Sequence, residues 1–292
     1  MNKPLVSICI PTFNGASFIE DALKSALAQT YSNIEIVVSD DASKDATLQI
    51  IESYKKKTHI PIQVHHHNPS GIGANWNHCI KQANGDYIKF LFQDDVLEPH
   101  CVEKMVALAE GSKNVGLVYC KRQIIFDSNK NFDTAWVKNF RSLHLDWESL
   151  EIKQGTLDGK VYLKDKKLLD KPENKIGEPT AVLLHKRCFD RVGYFNTHLS
   201  QALDIEYWYR LMPYFKIGFI DEELIKFRLH DAQASQVNRN IKIKDKRLLP
   251  RLLLQTIFWK LHSVQQKKLL KEVFYFTEIS SFMRKVKRKL NF

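Results

Sequence analysis

Two pairs of adjacent carboxylates are the residues of this chain best suited to chemistry. Asp94 and Asp95 end the run FLFQDD, and Asp40 and Asp41 end IEIVVSDD. Neighbouring charges of one sign repel, so such pairs are tolerated in water or against a cation. An ordinary explanation exists for the first pair: VLEPHCVEKMVALAE follows it, and aspartate is a common helix cap. The chemical explanation is a hard divalent cation, Mg2+ or Mn2+, held by oxygen. Two carboxylate pairs on one rim suit a nucleoside diphosphate with its ion. Asp41 can accept hydrogen bonds from base or ribose while Asp95 holds the metal. The histidines His65–His67 do not suggest zinc, because consecutive strand residues point to opposite faces. GIGAN at 71–75 is half a dinucleotide fingerprint and follows the wrong strand for one. There Gly71 and Gly73 are expected to let backbone approach a phosphate or ribose.

The elements that must position these groups alternate. PLVSICI and IEIVVS are β-branched runs, and ASFIEDALKSALAQT between them spaces its apolar residues for a helix. DASKDATLQIIESYKKK predicts a second helix, IPIQVHHH a third strand, ANWNHCIKQANG a third helix and DYIKFLF a fourth strand. This order predicts a mostly parallel sheet with helices on both faces, binding its ligand beyond the carboxyl ends of the strands. Polar residues gather at those ends: PTFNG, DDASKD, HNPSGIG and QDD. Residues 127–176 are irregular and polar, with Trp136, Phe140 and Trp147, and are expected to form a loop-rich insertion beside the site. ALDIEYWYRLMPYF reads as a helix, KIGFIDEELIKFRLHDAQAS as strand with a polar exit, and the chain beyond 242 as helical.

Taken together, PTFNGASFIEDALKSALAQTYSNIEIVVSDDASKD, NPSGIGANWN, NGDYIKFLFQDD, GEPTAVLLHKRCFDRVGYFN and LDIEYWYRL resemble, in order and spacing, the family 2 glycosyltransferases of GT-A fold, over about 1–235. The resemblance implies an α/β, Rossmann-like domain over 1–240 with a basic helical extension over 241–292. It implies a nucleoside pocket made by Pro11, Thr12, Asn14 and Asp41, with Gly71 and Asn77 in the stretch that follows, and it makes Asp94 and Asp95 the later members of a metal-binding Asp motif. His230 resembles the histidine that completes the metal sphere, and Gly177, Glu178 and Pro179 the loop near donor sugar and acceptor. Asp204 takes the place of the general base, with Glu206 nearby; as plain sequence, Asp204 could equally cap its helix. Phe92 departs from the pattern, standing where many relatives have Asp, which removes one candidate ligand of the ion. The implied activity is inverting transfer of one sugar, UDP-linked by expectation, to a glycan or lipid-linked saccharide of a bacterial surface polymer. A sugar-1-phosphate nucleotidyltransferase fits less well, because PTFNGASF lacks the basic residues its phosphate loop needs. A non-catalytic nucleotide-sugar-binding relative is the other alternative.

Composition bounds the rest. With 292 residues, 44% hydrophobic and 11% aromatic, the chain can bury a substantial core. No apolar run approaches the roughly 18–20 residues needed to span a bilayer, and the N-terminus does not read as a signal peptide, so a cytoplasmic location is expected. Five scattered cysteines without a CxxC are expected as reduced core thiols. The net charge of +11 falls wholly on residues 242–292, with 14 Lys and Arg against three acids. A basic tail on a neutral body does not suggest a nucleic-acid groove. An amphipathic FMRKVKRKLNF can instead lie on an anionic membrane, each cation near the surface adding about 1 kcal/mol.

Overall fold

The computed structural model describes residues 3–126, 137, 140–231, 233 and 244–275. The basic C-terminal segment 280–292, expected to meet a membrane, and Trp136 lie outside the described residues. No described helix is long and apolar enough to cross a membrane.

Strands β1 (Val6–Thr12), β2 (Ile34–Asp40), β3 (Ile62–His66) and β4 (Tyr87–Phe90) pair in parallel in the order β3-β2-β1-β4. Helices α1 (Ile19–Leu27), α2 (Thr47–Lys55) and α3 (Ile72–Gln82) are the crossovers between them. After the short β5 (Val96–Leu97) and α4 (Cys101–Glu110) come β6 (Val115–Phe126), β7 (Gly155–Asp158) and α5 (Gly159–Leu163). Then follow β8 (Val182–His185), α6 (Arg187–Val192), α7 (Leu203–Leu211) and β9 (Lys216–Leu229), and last α8 (Asp245–Thr256) and α9 (Ser263–Tyr275). The sheet continues β4-β8-β6-β9-β5, with β7 also beside β9. Here the sheet becomes mixed, with parallel β6 and β9 among antiparallel neighbours. Strand β8 is antiparallel to both β4 and β6, and β5 and β7 are antiparallel to β9, so only the β3 to β4 half is wholly parallel.

Alternation along the strands divides the core between two layers. Val6, Ile8 and Ile10 with Ile34, Ile36 and Val38 pack under α1, α2 and α4 through Leu23, Ile51 and Met105. Cys9 and Val37, pointing the other way, pack against Trp76 and Ile80 of α3 and Trp208 and Leu211 of α7. This is the period-two division of a sheet buried on both faces. Leu253, Ile257, Leu261 and Leu269 of the C-terminal helices belong to the second layer, so the basic extension shares its core with α7. All five cysteines are buried and unpaired.

Strand β9 advances five positions, from Ile220 to Ile225, while its partner β6 advances two, from Cys120 to Arg122. Such a bulge twists the ladder and re-aims side chains. Arg122 lies where the regular register resumes, at the rim of the sheet.

Candidate active site

The carboxyl ends of β1 and β2 are tied by hydrogen bonds that assign different work to the two aspartates there. Asp40 is fully buried and accepts from Thr12 Oγ1 at 2.8 Å, Ser43 Oγ at 2.6 Å and Ser43 N at 2.8 Å, so it is an internal strut. Asp41 donates its amide to Thr12 O at 2.9 Å and turns its side chain outward, where Oδ1 lies 2.5 Å from His67 Nδ1. Pro11 pairs with Ser39 just where β4 has ended, so its missing N–H leaves no ladder partner unmet. Asn14 has a φ of 47°, in the left-handed region that asparagine tolerates. Its amide donates to Ser43 Oγ and its Oδ1 accepts from Lys44 N, both at 2.8 Å, closing the β1 exit onto the β2 exit. His67 in turn lies beside His78, the rings tilted and their centroids 4.9 Å apart.

The stretch that opens α3 behaves differently from expectation in two places. Asn77, expected to meet the nucleotide, faces inward: Nδ2 donates to Phe195 O at 2.8 Å and Oδ1 accepts from Phe195 N at 3.0 Å. With both amide functions engaged it is a clasp between α3 and the loop before α7. Gly73, expected to admit a phosphate, leaves room for α7, since a Cβ there would collide with Leu203 Cδ2. Gly71 does stand free, at φ +99° with open space where a Cβ would go. Asn75, which the sequence did not single out, is 5% exposed, sends Nδ2 toward Thr12 O at 3.4 Å and keeps a buried Oδ1 without a partner.

At the end of β4 the paired acids again divide. Asp95, expected to be the ion's ligand, is 1% exposed and has both oxygens occupied, Oδ2 by Thr180 Oγ1 at 2.7 Å and Oδ1 by Arg228 N at 3.0 Å. Burial, and then the neighbouring Asp94 charge, raise its pKa well above the usual carboxylate range. Asp94 is the one that looks out: its Oδ2 lies 2.8 Å from His230 Nε2. The turn brings successive side chains to opposite sides, which is why one pair holds one inward and one outward acid. Gln93 joins this corner to the β1 exit by two hydrogen bonds to one residue, accepting from Phe13 N at 2.9 Å and donating to Phe13 O at 3.1 Å. Phe92 points into the aromatic layer, stacked on Trp76 at 5.1 Å between centroids. Among the described residues no three His, Cys, Asp or Glu side chains gather to hold an ion alone. One carboxylate oxygen facing one imidazole nitrogen is still a donor pair suited to Mg2+ or Mn2+ when substrate phosphates supply the remaining ligands.

Asp204 sits in the first turn of α7, half-buried. Its Oδ2 accepts from Asn174 Nδ2 at 2.7 Å and its Oδ1 from Ile205 N at 2.8 Å. Burial pushes its pKa up to about 7, against the pull of the Ile205 amide, the Arg122 guanidinium and Asn174. Glu206, expected beside it, is on the far side of the helix and 1% exposed, with Arg210 Nε at 2.7 Å and Nη2 at 3.0 Å on its two oxygens. Two helical positions subtend about 200°, so these acids cannot share a face. Glu206 therefore belongs to the packing of α7, not to the acceptor side.

The loop at 174–180 closes the site. Asn174 Oδ1 accepts from Gly177 N at 2.8 Å, while Gly177 O receives Trp208 Nε1 at 3.0 Å, and Gly177 itself has a φ of +112°. Pro179 starts a 3-10 turn held from beneath by the buried Lys89, whose Nζ donates to Thr180 O. Glu178 pairs through Oε2 with Arg122, and its Oε1 is buried without a partner. Burial lowers the Arg122 pKa to about 10, while Asp95 and Asp204 act in the opposite sense. Arg122, Asn174, Thr180 and His67 were not legible as site residues: each is polar among many, and only three-dimensional proximity marks it. Contacts run from Asp41 through Thr12, Phe13 and Gln93 to Asp94 and Asp95, and from Asp95 to Thr180, whose loop carries Asn174 to Asp204.

Comparison with known proteins gives this arrangement its context. Residues 7–193 match the family model described as Glycosyl transferase family 2. The chain is 31% identical over 242 residues to an uncharacterized glycosyltransferase of Rickettsia typhi, covering 82% of this chain and 68% of that one. A Rickettsia felis relative, also 31% identical, is longer, and the chain spans 35% of its length. Among solved structures, S. aureus TarS 1–349 in complex with UDP-GlcNAc has a TM-score of 0.66 at 20% identity, covering 97% of this chain and 76% of that one. The mannosyltransferase PcManGT of Pyrobaculum calidifontis, in complex with GDP-Man and Mn2+, has a TM-score of 0.55 at 14% identity, covering 100% and 82%. At these identities the likeness to the solved structures is one of fold.

Proposed function

The chain belongs to glycosyl transferase family 2, and from that premise we propose that it moves one sugar, with inversion, from a nucleoside diphosphate donor to a hydroxyl of a glycan or lipid-linked saccharide. The observation that carries this reading is that the strand exits bearing Asp41, Asp94 and Asp95 are joined by hydrogen bonds, and that Thr180, bonded to Asp95, and Asn174, bonded to Asp204, belong to one loop. Asp41, steered by His67, accepts from the base or ribose. Asn75, with an unpartnered Oδ1, adds a second acceptor near Thr12. The donor is UDP-linked in this reading, supported by the likeness to TarS with UDP-GlcNAc. Mg2+ or Mn2+ would be held by Asp94 and His230 and not by Asp95, and when bound it neutralises charge on the departing diphosphate. The Mn2+ complex of PcManGT is consistent with this.

In the displacement, the acceptor oxygen bonds to the anomeric carbon as the bond from that carbon to the diphosphate oxygen breaks, and the nucleoside diphosphate leaves with the electron pair. The acceptor proton passes to the Asp204 carboxylate. Asn174 and the Ile205 amide hold that carboxylate in place. The C-terminal basic segment would bring the enzyme to an anionic membrane on the cytoplasmic side.

A thermal-shift panel of UDP, GDP, dTDP and the triphosphates, each with and without Mn2+, tests the reading. Ligand at 100 times its Kd stabilises by about 2.7 kcal/mol, which in a chain of this size raises Tm by about 4 °C. UDP with Mn2+ is expected to give that rise. A response confined to triphosphates would favour a nucleotidyltransferase, and none at all would remove the donor site.

A further inference from the structure

The C-terminal helices place one carboxylate deep inside the molecule. Asp245, the first residue of α8, is 4% exposed. It accepts three consecutive backbone amides: Ser200 N at 3.0 Å to Oδ1 and 3.1 Å to Oδ2, and Gln201 N at 2.6 Å and Ala202 N at 2.9 Å to Oδ2. These amides form the turn that enters α7, where the N-cap residue Ala202 has no side chain to satisfy them. Three converging N–H groups at a helix start make a concavity for an anion, favoured further by the helix dipole. The anion here comes from the same chain, 43 to 45 residues further on. Two residues past Ala202 stands Asp204.

We propose that Asp245 is a positioning residue for sugar transfer: seated in the 200–202 turn, it fixes the first turn of α7 and thereby the direction in which Asp204 presents its carboxylate. The inference rests on Asp204 being the base. The geometry leaves that turn little freedom. On one side Leu203 fills the space opened by Gly73, and on the other Asp204 spans only 2.7 Å to Asn174. Losing the Asp245 seat frees the remaining side of the turn, and a displacement of about 1 Å at a reacting group costs on the order of 100-fold in rate.

The full chain carrying Asp245→Asn, which keeps the size but loses the charge and one acceptor oxygen, is the first variant. Turnover should fall about 10- to 100-fold while the KM for the donor and the affinity for UDP stay within about twofold. Hydrogen exchange of the 199–206 amides should quicken and that of 34–41 should not. Asp245→Glu, which restores the charge, should recover part of the turnover. Faster exchange in 199–206 with wild-type turnover would reduce the seat to a stability contact, and equal loss of turnover and UDP affinity would mark a global defect; either overturns the proposal. If the wild-type chain transfers no sugar from any donor, the proposed reaction fails and the role of Asp245 in it fails too, while the exchange arm still reports whether the seat orders α7.

Discussion

The proposed nucleoside end and the proposed base end of this cleft are built on opposite plans. At the first, Thr12, Asp40, Asp41 and Gln93 all stand at strand exits within the first 95 residues, joined by short bonds between neighbouring strands of a parallel sheet. At the second, Asp204 depends on Asn174, on Arg122 and Glu178, and on a turn seated by Asp245, groups drawn from separate elements over more than a hundred residues. The first inherits its rigidity from the sheet and its two apolar layers. The second is held by buried polar contacts, whose partners cost about 1–3 kcal/mol each when left unmet. The first has such contacts too, in Thr12, Asp40 and Ser43, but adds the sheet to them, so a single substitution is felt more at the second.

The sharpest way to break that contrast is Asp204→Asn. Turnover should fall about 10³-fold or more, within the range of general-base contributions, with UDP affinity within twofold, as measured by steady-state kinetics and calorimetry. The wild-type pH profile should agree. As the proposed base Asp204 must be ionised, and with its pKa pushed up to about 7, transfer should decline tenfold per unit below that pH. The stability sign follows from the same raised value. The folded chain holds this proton where the unfolded chain, at the ordinary carboxylate value of 3.8, has released it. Stability from this group is therefore complete at low pH and is lost as pH rises toward 7. Asp204→Asn lacks the group, so its Tm relative to wild type should climb between pH 5 and pH 8; a constant difference would place the carboxyl in a solvated setting.

A middle-sized effect separates the neighbours at the β4 exit. Asp94→Ala should abolish the Mn2+ dependence of UDP binding, about tenfold or more by analogy with the loss of a metal's supporting groups, whereas Asp95→Asn should keep that dependence and lower Tm. The reverse result would return the ligand to Asp95. The smallest effect on transfer is expected at Glu206→Gln. Breaking a buried pair costs about 3–5 kcal/mol of stability, so Tm should fall clearly while turnover changes by less than about threefold. A collapse of turnover at unchanged Tm would put Glu206 back beside the acceptor.

These contrasts also explain what could be read in advance. The β3-β2-β1-β4 half was legible because apolar periodicity and strand-end polarity are local signals, and the acids at 40–41 and 94–95 were found by the same means. Which member of each pair faces the cleft was not, since adjacent residues differ only in rotation about the chain, and the ion went to Asp95 where the geometry favours Asp94. Glu206 was misplaced for the helical version of that reason. Asn77 was misread because an amide that clasps a backbone at a separation of 118 residues looks like any polar residue of a helix. Arg122 and Asp245 left no signal, one re-aimed by a bulge and the other acting through a fold-back of the chain.

Strand β9 ends by giving the Arg228 amide to Asp95 and the His230 ring to Asp94. It works as a measured spacer between the back of the molecule and its rim. With about 3.3 Å per residue and alternating faces, one added residue beyond the bulge turns the imidazole away, and two keep its side but overshoot by roughly 7 Å. Evolution can lengthen the loops around this cleft far more freely than it can change the length of that one strand.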